Sequence, residues 1–233
     1  MLRKLTFGML ASVMALGVFA VPASAAVQTD LAWINGLPGK VDVCIGRTEI
    51  ISNLRYGRAK FYLWEPGTFR FVIRKAAAGK CNGRKLGVVR TTIGASGDQT
   101  AVIWKPFRKL KIKVFDNDTT VEAGASSLVY RHMAKYPAAV DVWLWEHVLR
   151  VSDEFPPTFD DVRRGTSSPK VDLRPGQFYI DTYASRRTRF FGWEGFWGRT
   201  DPERYLEVYL VGTTKKNFKL VTISQAGDVA PAP

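Results

Sequence analysis

Two groups of residues have types that chemistry could use. The first is His132 with Asp141. A His beside a carboxylate can act as a general base, and with a third residue the pair would describe an exported hydrolase. No Ser or Cys stands in a recognisable nucleophile elbow, however, and the first half of the chain has no matching His. The stronger reading makes His132 a structural residue that ties strand ends together by hydrogen bonds. Asp141 and its counterpart Asp42 are then expected to accept backbone N–H groups at turns. On this reading the chain is not an enzyme and needs no cofactor.

The second group is the run Phe190-Phe191-Gly192-Trp193-Glu194-Gly195-Phe196-Trp197-Gly198-Arg199, preceded by Arg187 and Arg189. Exposed rings here would stack on sugars or press into a membrane interface, while Arg187, Arg189 and Arg199 would hold anionic groups. Trp193, Phe196 and Trp197 are the ring contacts of that reading. The competing reading is a long hairpin whose rings fold back over the body of the protein, because large exposed aromatic patches are uncommon without a partner.

Metal chemistry has little to draw on. Asp116, Asn117, Asp118 and Glu122 offer clustered oxygens for calcium, but the EF-hand spacing and its Gly are absent. A solvated polar connector is the stronger reading. The chain has two His and two Cys, with no paired Cys motif of the zinc type. No metal site is therefore expected. Cys44 and Cys81 are a candidate disulfide in an oxidising compartment; two unpaired thiols are the alternative.

The elements that must position these residues read as strands. Val41, Val43 and Ile45 alternate on one face, as do Phe69, Phe71 and Ile73. Further strands are read at 31–34, 60–64, 86–93 and 99–104, then at 127–132, 140–145, 170–173, 177–183, 205–211 and 218–223. Lys109 to Phe115 is the cleanest alternation. Leu110, Ile112 and Val114 face a core, and Lys109, Lys111 and Lys113 face out. That pattern suits a sheet edge, where charge discourages pairing with another molecule; a lysine-based binding site is the weaker alternative. Gly46-Arg47 is read as a turn and 152–168 as a long polar loop. No segment shows a convincing helical period, so the expected class is all-β.

The chain also repeats itself. Val41-Asp42-Val43 returns as Val140-Asp141-Val142, and Pro66-Gly67-Thr68-Phe69 is echoed by Pro175-Gly176-Gln177-Phe178. This predicts two tandem immunoglobulin-like antiparallel β-sandwich units. The first is expected over 26–118 and the second over 127–225, with a connector at 119–126 and a disordered tail at 226–233.

Residues 1–25 read as a secretory signal peptide. Arg3 and Lys4 precede an apolar run, and Ala23 and Ala25 form a small-x-small cleavage pattern. The mature chain is then exported to the periplasm or the cell surface. Taking Arg3 and Lys4 out of the formal +13 leaves it at +11. Such a charge allows association with anionic envelope polymers or acidic polysaccharide, and a basic surface that serves plain solubility is the stronger reading. Nucleic acid is not an expected partner, and no later stretch is apolar enough to span a membrane.

The motifs together resemble the bacterial domain-of-unknown-function family 4397. The residues that carry the resemblance are Tyr130-Arg131-His132 with Pro137-Ala138-Ala139-Val140-Asp141-Val142. In the first half they are Val41-Asp42-Val43, Tyr56-Gly57-Arg58-Ala59-Lys60-Phe61-Tyr62-Leu63 and Pro66-Gly67-Thr68-Phe69. The resemblance implies tandem β-sandwich units in the periplasm or at the cell surface, and no particular reaction.

Overall fold

Alternating apolar residues punctuated by Gly, Pro and Asn fold this chain into strands, with no helix among the described residues. A computed structural model describes residues 28–78, 81–95, 97–146, 156–185, 196–214 and 217–229. The first half builds β1 (Thr29–Asn35), β2 (Lys40–Ile45), β3 (Thr48–Arg55), β4 (Ala59–Trp64), β5 (Gly67–Lys75), β6 (Lys85–Ile93), β7 (Asp98–Trp104) and β8 (Lys111–Asp116). A short β9 (Thr120–Val121) leads to β10 (Ser126–Ala134), β11 (Ala139–Glu146), β12 (Phe159–Arg163), β13 (Val171–Leu173) and β14 (Gly176–Ala184). Then come β15 (Phe196–Thr200), β16 (Arg204–Gly212), β17 (Lys219–Ala226) and β18 (Asp228–Val229).

The two halves follow one plan. The first forms sheets β4-β1-β7-β8 and β3-β2-β5-β6; the second forms β13-β10-β16-β17 and β12-β11-β14-β15. Each strand of the first half has its counterpart nine labels later. The pairing senses also repeat, since β1 runs parallel to β7 and β10 parallel to β16. Within each half the two sheets pack face to face. Leu31, Trp33, Val43, Phe71, Ile73 and Ile103 fill the first core, and Leu128, Tyr130, Val142, Phe178, Ile180 and Val208 the second.

The repeated Val-Asp-Val triplet has the same task in both halves. Asp42 Oδ1 accepts the Asn53 N–H at 2.9 Å, and Asp141 Oδ1 accepts the Asp161 N–H at 2.9 Å. Asn53 and Asp161 each have φ of +50°, a region that Asn and Asp tolerate better than other side chains. At these points the register between β2 and β3, and between β11 and β12, shifts by a bulge. The acceptors therefore act inside bulged strand pairs and not at turns as expected. The bulges also explain why β3 and β12 were not foreseen as strands, because an extra residue breaks the period-two pattern.

The expected tail and connector are corrected. Residues 226–229 are not a loose tail: Ala226 closes β17, and β18 pairs in parallel with β9 inside the expected connector. Val121 is buried there, and a Cβ on Gly227 would come within 2.5 Å of its side chain. Residues 230–233 and the whole of 1–25 lie outside the described residues. Cys44 and Cys81 are bridged, with Cα atoms 6.3 Å apart, and the bridge packs against Val72.

The outer faces of sheets β4-β1-β7-β8 and β13-β10-β16-β17 pack on each other, which stacks four sheets in series. Ile34, Val102, Trp104 and Phe115 meet Met133, Tyr209, Val211 and Val221 across this junction. Buried in it is an ion pair between Arg131 Nη1 and Glu207 Oε2. The Tyr209 hydroxyl also bonds Oε2, and Thr100 Oγ1 of the first half donates to the same carboxylate at 3.0 Å. Asn117 donates to Glu207 Oε1 at 3.0 Å and accepts from Arg131 Nη2 at 2.9 Å. The guanidinium lies over Phe115, 4.5 Å from the ring centroid. Burial pushes the Glu207 carboxyl up, and Arg131, Tyr209 and Thr100 oppose that rise. Burial also disfavours the Arg131 charge, but Tyr209 and Glu207 outweigh it and its pKa is raised.

Two outcomes are expected in denaturant unfolding. Glu207→Leu should cost about 3–5 kcal/mol, since it leaves a buried guanidinium uncompensated, and Arg131→Met with Glu207→Leu should recover most of that loss. Replacing Cys44 and Cys81 together by Ala should cost about 4 kcal/mol on the chain-entropy account of a loop whose ends are 37 residues apart in sequence.

Candidate functional site

The structure gives His132 and Asp141 different partners. His132 is buried, with Nε2 2.9 Å from the Pro137 carbonyl oxygen. A carbonyl only accepts, so the neutral ring carries its proton on Nε2. Nδ1 is buried with no hydrogen-bond partner among the described residues. Burial, aided by the charge on Arg164, lowers the His132 pKa to about 4 against the bond to Pro137. Asp141 Oδ1 is occupied by the Asp161 N–H and by Ser185 Oγ at 2.6 Å. No hydrogen bond joins the two side chains, so a general-base couple is not formed. Asn35 holds the equivalent place in β1. It pairs with Ile103 as His132 pairs with Leu210, and its amide donates to the Gly39 and Leu54 carbonyls at 3.0 and 2.9 Å.

The aromatic run is divided. Arg187, Arg189 and Trp193 lie outside the described residues. Phe196, Trp197 and Arg199 alternate along β15. Phe196 turns to the core beside Phe178, whereas Trp197 is 64% exposed next to Tyr179, with ring centroids 4.6 Å apart. Arg199 is exposed on the same face as Trp197. The Gly between them is required, since a Cβ on Gly198 would sit 2.3 Å from the Phe178 ring. Of the carboxylates considered for calcium, Asp116 accepts from Gln99 and Asp118 pairs with Lys170 at 2.6 Å. That bond to Lys170 lowers the Asp118 pKa.

A site absent from the sequence reading lies where the two halves meet. A cleft of about 940 Å³ opens between the β7–β8 turn with β8 on one side and the β10–β11 turn with the end of β12 on the other. A hollow of about 570 Å³ continues from it along Arg108, Lys109 and Lys135. Together they are lined by seven cations, Arg108, Lys109, Lys111, Lys113, Lys135, Arg163 and Arg164, against the single carboxylate Asp161. Phe107 is 66% exposed and Tyr136 38% exposed at the rim. The Arg164 guanidinium lies 4.7 Å from the Phe107 ring centroid, and Lys135 Nζ lies 5.1 Å from that of Tyr136. Arg164 also donates to the Pro106 carbonyl at 3.4 Å, and Gly165, at φ +83°, lets the chain approach the Trp104 indole.

Local sequence explains each wall. β8 is a sheet edge, as its lysine alternation predicts, and Lys111 and Lys113 point away from the core that Ile112 enters. Those lysines therefore guard an edge and line the cleft at once. Arg163 and Arg164 follow directly from the bulge at Asp161. The one local signal was a cation next to an aromatic in Phe107-Arg108 and in Lys135-Tyr136. Nothing in the sequence joins those stretches to Arg163 and Arg164.

No protein-family model and no curated protein matches the chain. Among solved structures it is similar to the Bacillus anthracis TIE protein, at 9% identity and a TM-score of 0.25 over 79% of this chain. That match covers 34% of the TIE chain, so the protein spans about a third of that relative's length. It is also similar to a candidate cell adhesion protein from Bacteroides ovatus, at 8% identity and a TM-score of 0.26 over 89% of this chain and all of that one. A further candidate adhesion protein, from Bacteroides fragilis, gives 9% identity and a TM-score of 0.18 over 81% and 72% of the two chains. Likeness at this level says nothing of what this chain binds.

The buried His132 sets a pH dependence. Its folded pKa of about 4 lies below the ordinary value of 6.5, so the unfolded chain takes up the proton first as pH falls. The stability that rests on a neutral ring is complete above about pH 6.5 and lost progressively toward pH 4, by about 3 kcal/mol. Denaturant titrations across that window should show the loss. His132→Gln, which keeps a donor for Pro137, should flatten it.

Proposed function

We propose that this chain is an exported, non-enzymatic binding module that holds an anionic polymer in the cleft between its halves. The observation that carries the reading is the lining of seven cations around one carboxylate, with exposed rings among them. Charge gathered on the walls of a cleft focuses the field and concentrates counter-ions there. A surface made basic only for solubility would spread its charge instead.

Export is part of the proposal. It rests on the expected signal segment at 1–25 and is supported by the Cys44–Cys81 bridge, since disulfides persist in oxidising spaces. No helix among the described residues is long and apolar enough to cross a membrane. The resemblance to domain-of-unknown-function family 4397 belongs to the same proposal. Trp197 and Arg199, exposed on β15, form a second contact surface on a different sheet. The hydrolase alternative finds no support in a His132 that is buried and bonded to Pro137.

Calorimetric titration with inorganic polyphosphate at low and high salt tests the reading. Binding should weaken roughly tenfold or more as salt screens the exposed cations. The Lys111→Glu, Arg163→Glu variant should lose binding while keeping the parent's melting temperature. Absence of binding by the parent, or equal binding by the variant, would refute the assignment.

A further inference from the structure

We infer that the polymer is an acidic glycan, a linear polysaccharide carrying carboxylates, laid along β8 with sugar rings against Phe107 and Tyr136. This rests on the reading of the cleft as a polyanion site and names the class of polyanion. Lys111 and Lys113 are alternate residues of an edge strand, so they recur about 7 Å apart on one side of it. Arg163 and Arg164 face them across the cleft. Cations repeated along one wall and matched on the other suit an extended chain with charge at intervals, and a single small anion would meet only a fraction of them. Arg163 already bonds Asp161 through Nε at 3.4 Å, and Arg164 bonds the Pro106 carbonyl through Nη1; the remaining guanidinium N–H groups suit planar carboxylates.

The rings select further. Phe107 is among the most exposed large apolar side chains described, and Tyr136 is also exposed. Each has a cation over its ring, Arg164 and Lys135 respectively. Those cations fix the rings in orientation and leave ring surface open to solvent. Aromatic surface of this kind adds binding energy to a ligand with an apolar face, such as the C–H face of a pyranose, and adds nothing to an inorganic polyanion. Nucleic acid also combines rings with regular charge, but the oxidising compartment that maintains the Cys44–Cys81 bridge favours an envelope or extracellular glycan.

The other copy of the fold shows that the sandwich itself does not require this opening. Arg163-Arg164-Gly165 follows the bulge at Asp161 as Arg55-Tyr56-Gly57 follows the bulge at Asn53. On the Tyr56 side the junction is filled. The Tyr56 hydroxyl bonds the Val211 carbonyl at 3.3 Å and the Asn217 carbonyl, and Lys219 lies over its ring. A Cβ on Gly57 would come within 2.6 Å of Lys219. Of two places related by the repeat, one is plugged by a tyrosine and the other is open, cationic and ringed.

The test compares polygalacturonate, inorganic polyphosphate and a single-stranded oligonucleotide on the full chain. The Phe107→Ala, Tyr136→Ala variant should bind polygalacturonate at least roughly tenfold more weakly than the parent, with a distinctly smaller loss of polyphosphate binding. Phe107→Trp should retain polygalacturonate binding. Failure of polygalacturonate to bind, an equal loss for both polyanions, or no loss for either would overturn the glycan assignment. Tighter binding of the oligonucleotide with the same dependence on the rings would overturn it in favour of nucleic acid. If the parent does not bind even polyphosphate, the polyanion reading fails before the glycan question arises.

Discussion

A carboxylate that cannot reach water governs how the four sheets are stacked. Glu207 is fully buried between the two halves, and a buried charge needs both a counter-charge and hydrogen bonds to be tolerated. Arg131 supplies the charge from the neighbouring strand. Tyr209 supplies one donor, and Thr100 and Asn117 supply two from the first half. The apolar contacts of Ile34, Val102 and Trp104 with Met133, Tyr209 and Val211 could slide by small amounts at little cost. The hydrogen bonds of the pair could not, because each has a narrow range of distance and angle. The pair therefore contributes geometry to the junction more than net stability.

The halves share a plan but not the chemistry of their contact face. Through the strand pairings, Thr100 of β7 stands where Glu207 stands in β16, and Ile34 of β1 stands where Arg131 stands in β10. An ordinary apolar and hydroxyl pair in one copy is an ion pair in the other. The junction turns diverge in the same way, with Tyr56 closing one side and Arg164 leaving the other open. The places that make the protein more than a repeated sandwich are those where the copies differ.

The positions that do not diverge explain the repeat. Asp42 and Asp141 each hold a residue of positive φ in a bulged neighbour. A bulge strengthens local twist and bends its strand. The turns that follow, with Gly57 and Gly165 at positive φ, lie against the opposite half. The triplet that first betrays the duplication thus does one job twice, holding the bulged residue in β3 and in β12.

The sequence by itself determined the all-β class, most of the strands, the lysine-guarded edge at β8 and the repeated triplet, because period-two alternation and turn residues are local signals. It did not show β3 and β12, whose bulges break the alternation, nor β15, whose glycines and aromatics read as an irregular insertion over 186–204, nor the pairing of 228–229 with 120–121, which joins positions far apart in the chain. His132 and Asp141 looked like a pair along the sequence, yet the fold gives each its own backbone partners. Only the tertiary structure decided the cleft. Phe107, Lys111, Tyr136 and Arg163 come from four separate segments, and each is locally an ordinary surface residue. They become a site because two sheets pack outer face to outer face, and that contact depends on side chains whose partners no local pattern reveals.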